Sequence, residues 1–370
     1  MEKKEKKSDK ETNLPNNSDK SAKYSNFWEK IQKPFFVLAP MANVTDSVFR
    51  KLFAKYGKPD VTWTEFVSAD GLMSQGRKKL LHNLDYTEKE RPIVAQLFTG
   101  HKNEMKGASR LVAELGFNGI DINMGCPDKA VEKQGGGASL IKNPVLAIEI
   151  INSARAGVEE AFNRKSKKKY PKAVIPVSVK TRIGYNKVDL DWIRLLLEQK
   201  LPVLTVHLRT RKEMSDVPAH WEIMPDIIKV RDEISPETKI IGNGDVISIA
   251  DGRQKIEKYG CDGVMIGRGI FGKPWFFADT ADVNNANAKN AVERYVQSEF
   301  RLKVMVEHAK AFEKAFRNIK SFDVMKKHFK AYVSGWDGAK ELRVELMGTK
   351  GAKEVASVVR RYLVGGLGKR

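Results

Sequence analysis

From Pro34 onward the chain repeats one pattern. A short, almost wholly apolar run is followed by a longer stretch with apolar residues three and four apart. The runs are Phe35–Ala39, Val61–Val67, Ile93–Phe98, Gly119–Asn123, Ile175–Lys180, Val203–His207, Lys239–Asn243 and Gly263–Ile266. Most are rich in Val and Ile and bounded by Gly or Pro. Segments with helical spacing, such as Val48-Leu52-Phe53 and Leu111-Val112-Leu115, lie between them. Strands of this kind that alternate with helices are parallel βαβ units. Eight in succession predict an α/β chain built on a closed (β/α)8 TIM barrel. The polar residues agree with that choice. Gln96, Asn123, Lys180, His207 and Asn243 cluster at the C-terminal ends of the runs, the face that carries the active site in such barrels. A doubly wound sheet would gather them at one or two switch points.

After about residue 283 the strand pattern stops. Ala291–Phe316, Val324–Val333, Leu342–Met347 and Val355–Leu363 have amphipathic helical spacing, punctuated by Gly335, Gly338 and Gly348-Thr349-Lys350-Gly351. The organisation expected is a barrel over residues 30–283 and a C-terminal all-helical domain over 284–370. Residues 1–25, rich in Lys, Glu, Asn and Ser and poor in apolar groups, are expected to form a disordered basic tail.

Composition sharpens this reading. The chain has 370 residues, 41% hydrophobic and 30% charged, as soluble globular proteins do. No stretch approaches the roughly 18 consecutive apolar residues of a membrane span, and the N-terminus has no apolar secretory core. Two cysteines cannot form a disulfide framework, which favours a reducing, cytoplasmic compartment. A monomer is expected. The net charge of +20 calls for an anionic partner, nucleic acid ahead of membrane because no amphipathic anchor is evident. Its distribution is uneven. Residues 284–370 hold 19 Lys and Arg against 9 Asp and Glu, half of the whole excess. Arg164-Lys165-Ser166-Lys167-Lys168-Lys169 concentrates more in one loop.

The chemistry-bearing residues lie in the same loops. Ile120-Asp121-Ile122-Asn123-Met124-Gly125-Cys126-Pro127 ends a strand and enters a loop, followed by Lys133-Gln134-Gly135-Gly136-Gly137-Ala138. A cysteine on a strand-end loop over a barrel mouth is placed to meet a substrate. Cys261 precedes a strand instead, at the opposite face, and reads as packing. Ile241-Gly242-Asn243-Gly244-Asp245 ends the seventh run and Met265-Ile266-Gly267-Arg268-Gly269 the eighth. Those two loops form the usual phosphate site of these barrels, with glycines admitting backbone N–H groups and Arg268 adding charge. Lys180 serves either as a Schiff-base nucleophile or as a fixed positive charge. Gln96 offers a donor and an acceptor to a heterocycle edge. His207 suits an acid, a base or a phosphate ligand. The six histidines show no ligand-like spacing, so no metal is expected. Nor is there a Ser/His/Asp elbow motif.

Together these residues resemble the tRNA dihydrouridine synthase family. The likeness runs from about Phe35 to Tyr362. It is carried by Ala39-Pro40-Met41-Ala42-Asn43-Val44-Thr45-Asp46, Asn123-Met124-Gly125-Cys126-Pro127, Val179-Lys180-Thr181-Arg182, Gly242-Asn243-Gly244-Asp245 and Ile266-Gly267-Arg268. Met325-Lys326-Lys327-His328-Phe329-Lys330 and Glu341-Leu342-Arg343 are similar to that family's helical domain. Asn43 and Leu208 stand where the family pattern has glycine.

The resemblance implies FMN as cofactor, NADPH as its reductant and tRNA as partner. It places Pro40, Met41 and Ala42 along the flavin, Gln96 at its pyrimidine edge, Lys180 by N1 and the adjacent carbonyl, and His207 beside it. Asn243, Gly244, Asp245, Gly267 and Arg268 would hold the ribityl-phosphate. Asn123 and Arg182 would lie near the target base, and Cys126 would give a proton to uracil C5 after hydride reaches C6. A thiol of ordinary pKa, about 8.5, is protonated at neutral pH and suits that task. The target uridine must be extruded from its stack to react. A basic helical domain beside the mouth would grip folded RNA by phosphate and shape. Two other functions compete. An FMN barrel dehydrogenase acting on a small pyrimidine such as dihydroorotate shares the phosphate turns but lacks the basic helices. A non-catalytic RNA-binding barrel would have no use for Cys126 or Lys180.

Overall fold

The computed structural model describes residues 26–164, 173–280 and 297–365. The expected tail over 1–25, the lysines at 165–169 and the domain boundary at 283/284 lie outside the described residues. The strands are β1 (Phe35–Leu38), β2 (Thr62–Ser68), β3 (Ile93–Phe98), β4 (Gly119–Met124), β5 (Val177–Arg182), β6 (Val203–His207), β7 (Lys239–Asn243) and β8 (Gly263–Ile266). All pair in parallel, in the order β1-β8-β7-β6-β5-β4-β3-β2. A parallel bridge between Val37 and Val61 joins β1 back to the start of β2 and closes the ring. Four strands match the expected apolar runs end for end. β5 starts two residues later than its run because Pro176, with no N–H, cannot donate to a ladder.

Around the strands pack α1 (Ser47–Tyr56), α2 (Lys102–Glu114), α3 (Pro144–Asn163), α4 (Leu190–Glu198), α5 (Met224–Ile234) and α6 (Ile249–Tyr259). Their starts are chemically marked. Asp46 accepts from the Val48 and Phe49 N–H groups, Asn143 precedes Pro144 and accepts from Leu146, and Ser248 accepts from Asp251.

Alternation along the strands separates two cores. Side chains facing the helices form a large hydrophobic cluster, while Phe35, Val37, Val61, Trp63, Val94, Val203, Ile241 and Met265 form a smaller one. Trp28, from the short 3-10 turn Phe27–Lys30, joins that smaller cluster 5.7 Å from the Trp63 ring. Two residues further along the same strand faces come Gln96, Thr205 and Asn243, so the inner face turns polar toward one end.

The C-terminal helices are α7 (Ser298–Phe316), α8 (Met325–Tyr332), α9 (Ala339–Gly348) and α10 (Ala352–Val364). The expected start of α7 at Ala291 lies outside the described residues, and Gln297 is already extended. Their core of Leu302, Met305, Phe312, Met325, Phe329, Leu342 and Val355 includes Val48 of α1, so the helices pack on the barrel. Among the described residues no helix is long and apolar enough to cross a membrane.

Candidate active site

A cavity of about 410 Å³ opens among the loops that follow the strands. Nine of the expected residues line it: Pro40, Met41, Lys180, His207, Asn243, Gly244, Asp245, Gly267 and Arg268. They come from five strand ends. His207 sits beside Asn243 in register, and Arg182 beside His207. Ala42 is exposed, outside the cavity wall. Gln96 is fully buried, outside the lining.

One end of the cavity gathers two guanidinium groups beside a glycine turn. Gly244 has φ of +138°, a conformation closed to other residues, and an added Cβ would meet the Ala219 Cβ at 2.6 Å. Asp245 follows with its carboxylate held by three donors: Arg268 Nη2 at 2.7 Å, Arg209 Nη2 at 2.5 Å and the Ala219 N–H at 2.9 Å. Burial opposes its charge, but the Arg209 and Ala219 hydrogen bonds and Arg268 outweigh it and hold the pKa low. Asp245 therefore acts here by aiming two guanidinium groups. Arg209 was not foreseen as a site residue. Its Nε donates to Val217 O at 2.6 Å, and its Nη1 lies 3.1 Å from His207 Nε2. That contact makes Nε2 the acceptor and leaves the ring proton on Nδ1. Burial, with Lys180, Arg182, Arg209 and Arg268 nearby, drives the His207 pKa far down. It is a neutral ring at physiological pH, which disfavours it as a cationic phosphate ligand.

Lys180 lies deeper in the same cavity, and its ammonium has no hydrogen-bond partner among the described residues. Burial and the charge of Arg182 bring its pKa down to about 8, against support from Asp121 and Cys126. The side chain is half-buried, and a partly desolvated cation gains from an anion or acceptor that faces it. The Asn243 Nδ2 donates to Met265 O at 2.8 Å, which leaves its Oδ1 unspent.

The Cys126 loop is held from several sides. Asn123 Oδ1 accepts from the Gly125 N–H at 3.1 Å and the Cys126 N–H at 2.9 Å. Cys126 O accepts from the Ala138 N–H at 2.9 Å, an approach that only glycine at 137 permits: its φ is +61°, and a Cβ there would lie 2.6 Å from that oxygen. Arg182 Nε donates to Gly125 O at 2.7 Å, while its Nη1 donates to Thr210 O and Met214 O. Arg211 pairs with Glu132 of the following short helix, Lys129–Lys133. Asn123 and Arg182, expected near a target base, are thus already committed to shaping this loop. The thiol itself is only partly buried, and burial raises its pKa above the ordinary value. Cys261 is buried before β8, with its pKa pushed up to about 12, as fits plain packing.

The two glycine departures resolve differently. Asn43 has φ of +56°, so the loop does need the left-handed conformation, and asparagine tolerates it. Leu208 is buried with no such φ, its N–H donating to Asn243 O at 2.9 Å; nothing there requires glycine. Outside the cavity, Asp70, His101 and Glu104 bring possible metal-ligand atoms within 4.8 Å of one another, a grouping that sequence spacing did not disclose.

A parallel barrel whose strand-end loops form one cavity, basic at one end and beside a loop-borne thiol, has the architecture of a barrel enzyme. The family model described as dihydrouridine synthase matches residues 37–364. The chain is 40% identical over 347 residues to the probable tRNA-dihydrouridine synthase 2 of Bacillus subtilis, covering 92% of this chain and 98% of that protein. It is 39% identical to a probable tRNA-dihydrouridine synthase of Staphylococcus aureus, covering 91% and 95%. The chain belongs to the dihydrouridine synthase family. Likeness to solved structures is slight. Morphinone reductase with tetrahydroNAD is 11% identical, at a TM-score of 0.43, over 71% of this chain and 92% of that one.

Proposed function

We propose that the chain reduces uridine in tRNA to dihydrouridine in the cytosol, with bound FMN reduced by NADPH and Cys126 as proton donor. The observation that carries this reading is one juxtaposition. A half-buried ammonium with no hydrogen-bond partner among the described residues and a pair of aimed guanidinium groups share a cavity of about 410 Å³, and a thiol whose pKa burial raises is held on the neighbouring strand-end loop. The residues fit FMN: Arg209, Arg268 and the Gly244 and Gly267 backbone suit the phosphate, Asn243 the ribityl chain, and Pro40 and Met41 the ring. Lys180 would hold a positive charge beside the ring and so would favour negative charge on it. When bound, the flavin supplies the hydride that reaches uracil C6.

The chain's own residues manage the proton. Cys126 holds it at Sγ, because burial keeps the thiol from ionising at neutral pH, and delivers it to C5 as charge develops on the uracil. Asn123 and Arg182 serve the target base by fixing the loop that aims this thiol. The helical domain offers a surface for the RNA. A groove of about 650 Å³ between α7 and α10 is lined by Lys310, Lys314, Arg317, Lys353 and Arg360. The lining carboxylate, Glu313, accepts from the Ala352 N–H at 3.1 Å and so is partly spent on joining the two helices. Such a groove suits a phosphodiester backbone.

The test is direct. Purified protein should show FMN absorbance, bleach on adding NADPH, and form dihydrouridine in unmodified tRNA but not turn over free uridine or dihydroorotate. Protein that takes up no flavin, or that prefers a free pyrimidine, would contradict the proposal.

A further inference from the structure

Beneath the cavity lies a chain of buried polar groups that the reaction does not itself require. Asp121, on β4 and fully buried, pairs in register with Gln96 on one side and Ser178 on the other. Both of its carboxylate oxygens accept. Ser178 Oγ donates to Oδ1 at 2.6 Å, and Gln96 Nε2 donates to Oδ2 at 2.7 Å. The other end of the Gln96 amide, Oε1, accepts from Asn123 Nδ2 at 3.2 Å. Asn123 Oδ1 then accepts from the Gly125 and Cys126 N–H groups.

The order of donors and acceptors in this chain has one source. A side-chain amide has a donor end and an acceptor end and can lie either way round. A carboxylate accepts only, so Asp121 takes the Nε2 end of Gln96 and turns its oxygen toward Asn123. Asn123 must then offer its Nδ2 to Gln96, which leaves its oxygen for the turn. If Gln96 lay the other way, its oxygen would face a carboxylate oxygen and its NH2 would face another NH2. Mismatches of that kind are expensive in a site that water does not reach.

We infer that Asp121 is a positioning residue for Cys126: it fixes the orientation of the Gln96 and Asn123 amides, and through them the turn that aims the thiol. Its importance to catalysis rests on the proposed role of Cys126. The positioning itself does not, and can be measured without tRNA or turnover. It acts through an accepted hydrogen bond. In Asp121→Asn, Ser178 can turn its hydroxyl to Ile120 O, 3.2 Å away, and take the new NH2, which leaves the amide oxygen toward Gln96.

Amide hydrogen exchange on the purified protein, read at Gly125 and Cys126, tests this. Asp121→Ala and Gln96→Leu should each speed exchange there by about tenfold, the worth of one well-made hydrogen bond, and the double variant should add nothing. Asp121→Asn should stay within about twofold of the parent, since an acceptor is kept. Amides of β7 and β8 should not respond to any of these changes. Should Asp121→Ala fail to fold, Gln96→Leu and Asp121→Asn carry the comparison. Unchanged exchange at Gly125 and Cys126 in Gln96→Leu would overturn the inference. So would an Asp121→Asn protein as loosened at those two amides as Gln96→Leu.

Discussion

Lys320, just past the end of α7, reaches Glu65 of β2, with Nζ 2.8 and 3.1 Å from the two carboxylate oxygens, and both side chains are at least nine-tenths buried. The same carboxylate accepts from the Asn43 N–H at 2.5 Å, in the loop that continues the Pro40–Met41 wall of the cavity. One buried ion pair thus joins the helical domain to the loop bounding the proposed flavin site.

Removing one partner strands a buried charge. Lys320→Met should cost about 3–5 kcal/mol, and it should weaken flavin binding through Asn43. Adding Glu65→Gln to that variant should restore much of the loss. Denaturant unfolding and FMN titration of the three proteins check it; equal stability in Lys320→Met and the parent would contradict the coupling.

A second contact between the domains responds to pH. His308 and His328 are fully buried against Phe49, with ring centroids 4.9 and 4.8 Å from it, and neither His328 nitrogen has a hydrogen-bond partner among the described residues. Burial pushes His308 down to about 3 and His328 far down, the latter helped by His308 and Lys327. Unfolded histidines take up protons near pH 6.5, so the folded state loses ground as pH falls below that value. Asp46 and Asp121, each raised to about 6 mainly by burial, have the opposite slope between about 4 and 6. A paired comparison cancels them. His328→Phe should gain on the parent by up to about 1.4 kcal/mol for each pH unit below 6.5. Urea titrations at three pH values would show a constant difference if the account fails.

Lys180 sets a third expectation. Below about pH 8 it is charged, and above it the charge is lost. Flavin affinity should therefore fall as pH rises through 8 in the parent. Lys180→Met should bind about 10- to 100-fold more weakly at pH 7, the worth of a charged hydrogen bond, and should show no such pH step. Fluorescence-quenching titrations across pH 6–10 decide it.

The basic groove predicts a salt signature. Lys314→Glu with Arg360→Glu should weaken tRNA binding and lower the slope of log affinity against log salt by about 0.9 for each phosphate no longer neutralised, leaving FMN affinity unchanged. An unaltered slope would place the RNA elsewhere.

Much of the architecture was legible in the sequence because parallel strands buried on both faces leave continuous apolar runs, and their ends mark the barrel mouth. Nine of the cavity residues followed from that alone or from the resemblance built on it. Asp121 was within reach: it lies two residues before Asn123, so period-two alternation puts both on the inner face. Arg209 was not, because its side chain folds back onto His207 along an irregular loop with no period to read. The Lys320–Glu65 pair and the His308–Phe49–His328 stack join segments more than 250 residues apart, and no local pattern encodes such meetings. Asn43 shows the converse: the left-handed turn expected of glycine is there, made by another residue able to adopt it.

The central claim concerns the thiol. Cys126→Ala leaves the cavity and its charges intact, so the variant should fold, hold FMN and be reduced by NADPH at the parent's rate. Without the proton donor, dihydrouridine formation in single-turnover assays should slow by about 10²–10⁴-fold, the usual contribution of a general acid. Cys261→Ala, at the opposite end of the barrel, should turn over like the parent. A Cys126→Ala enzyme that forms dihydrouridine at near-parental rate, or a folded Cys261→Ala enzyme that does not form it, would contradict the assignment.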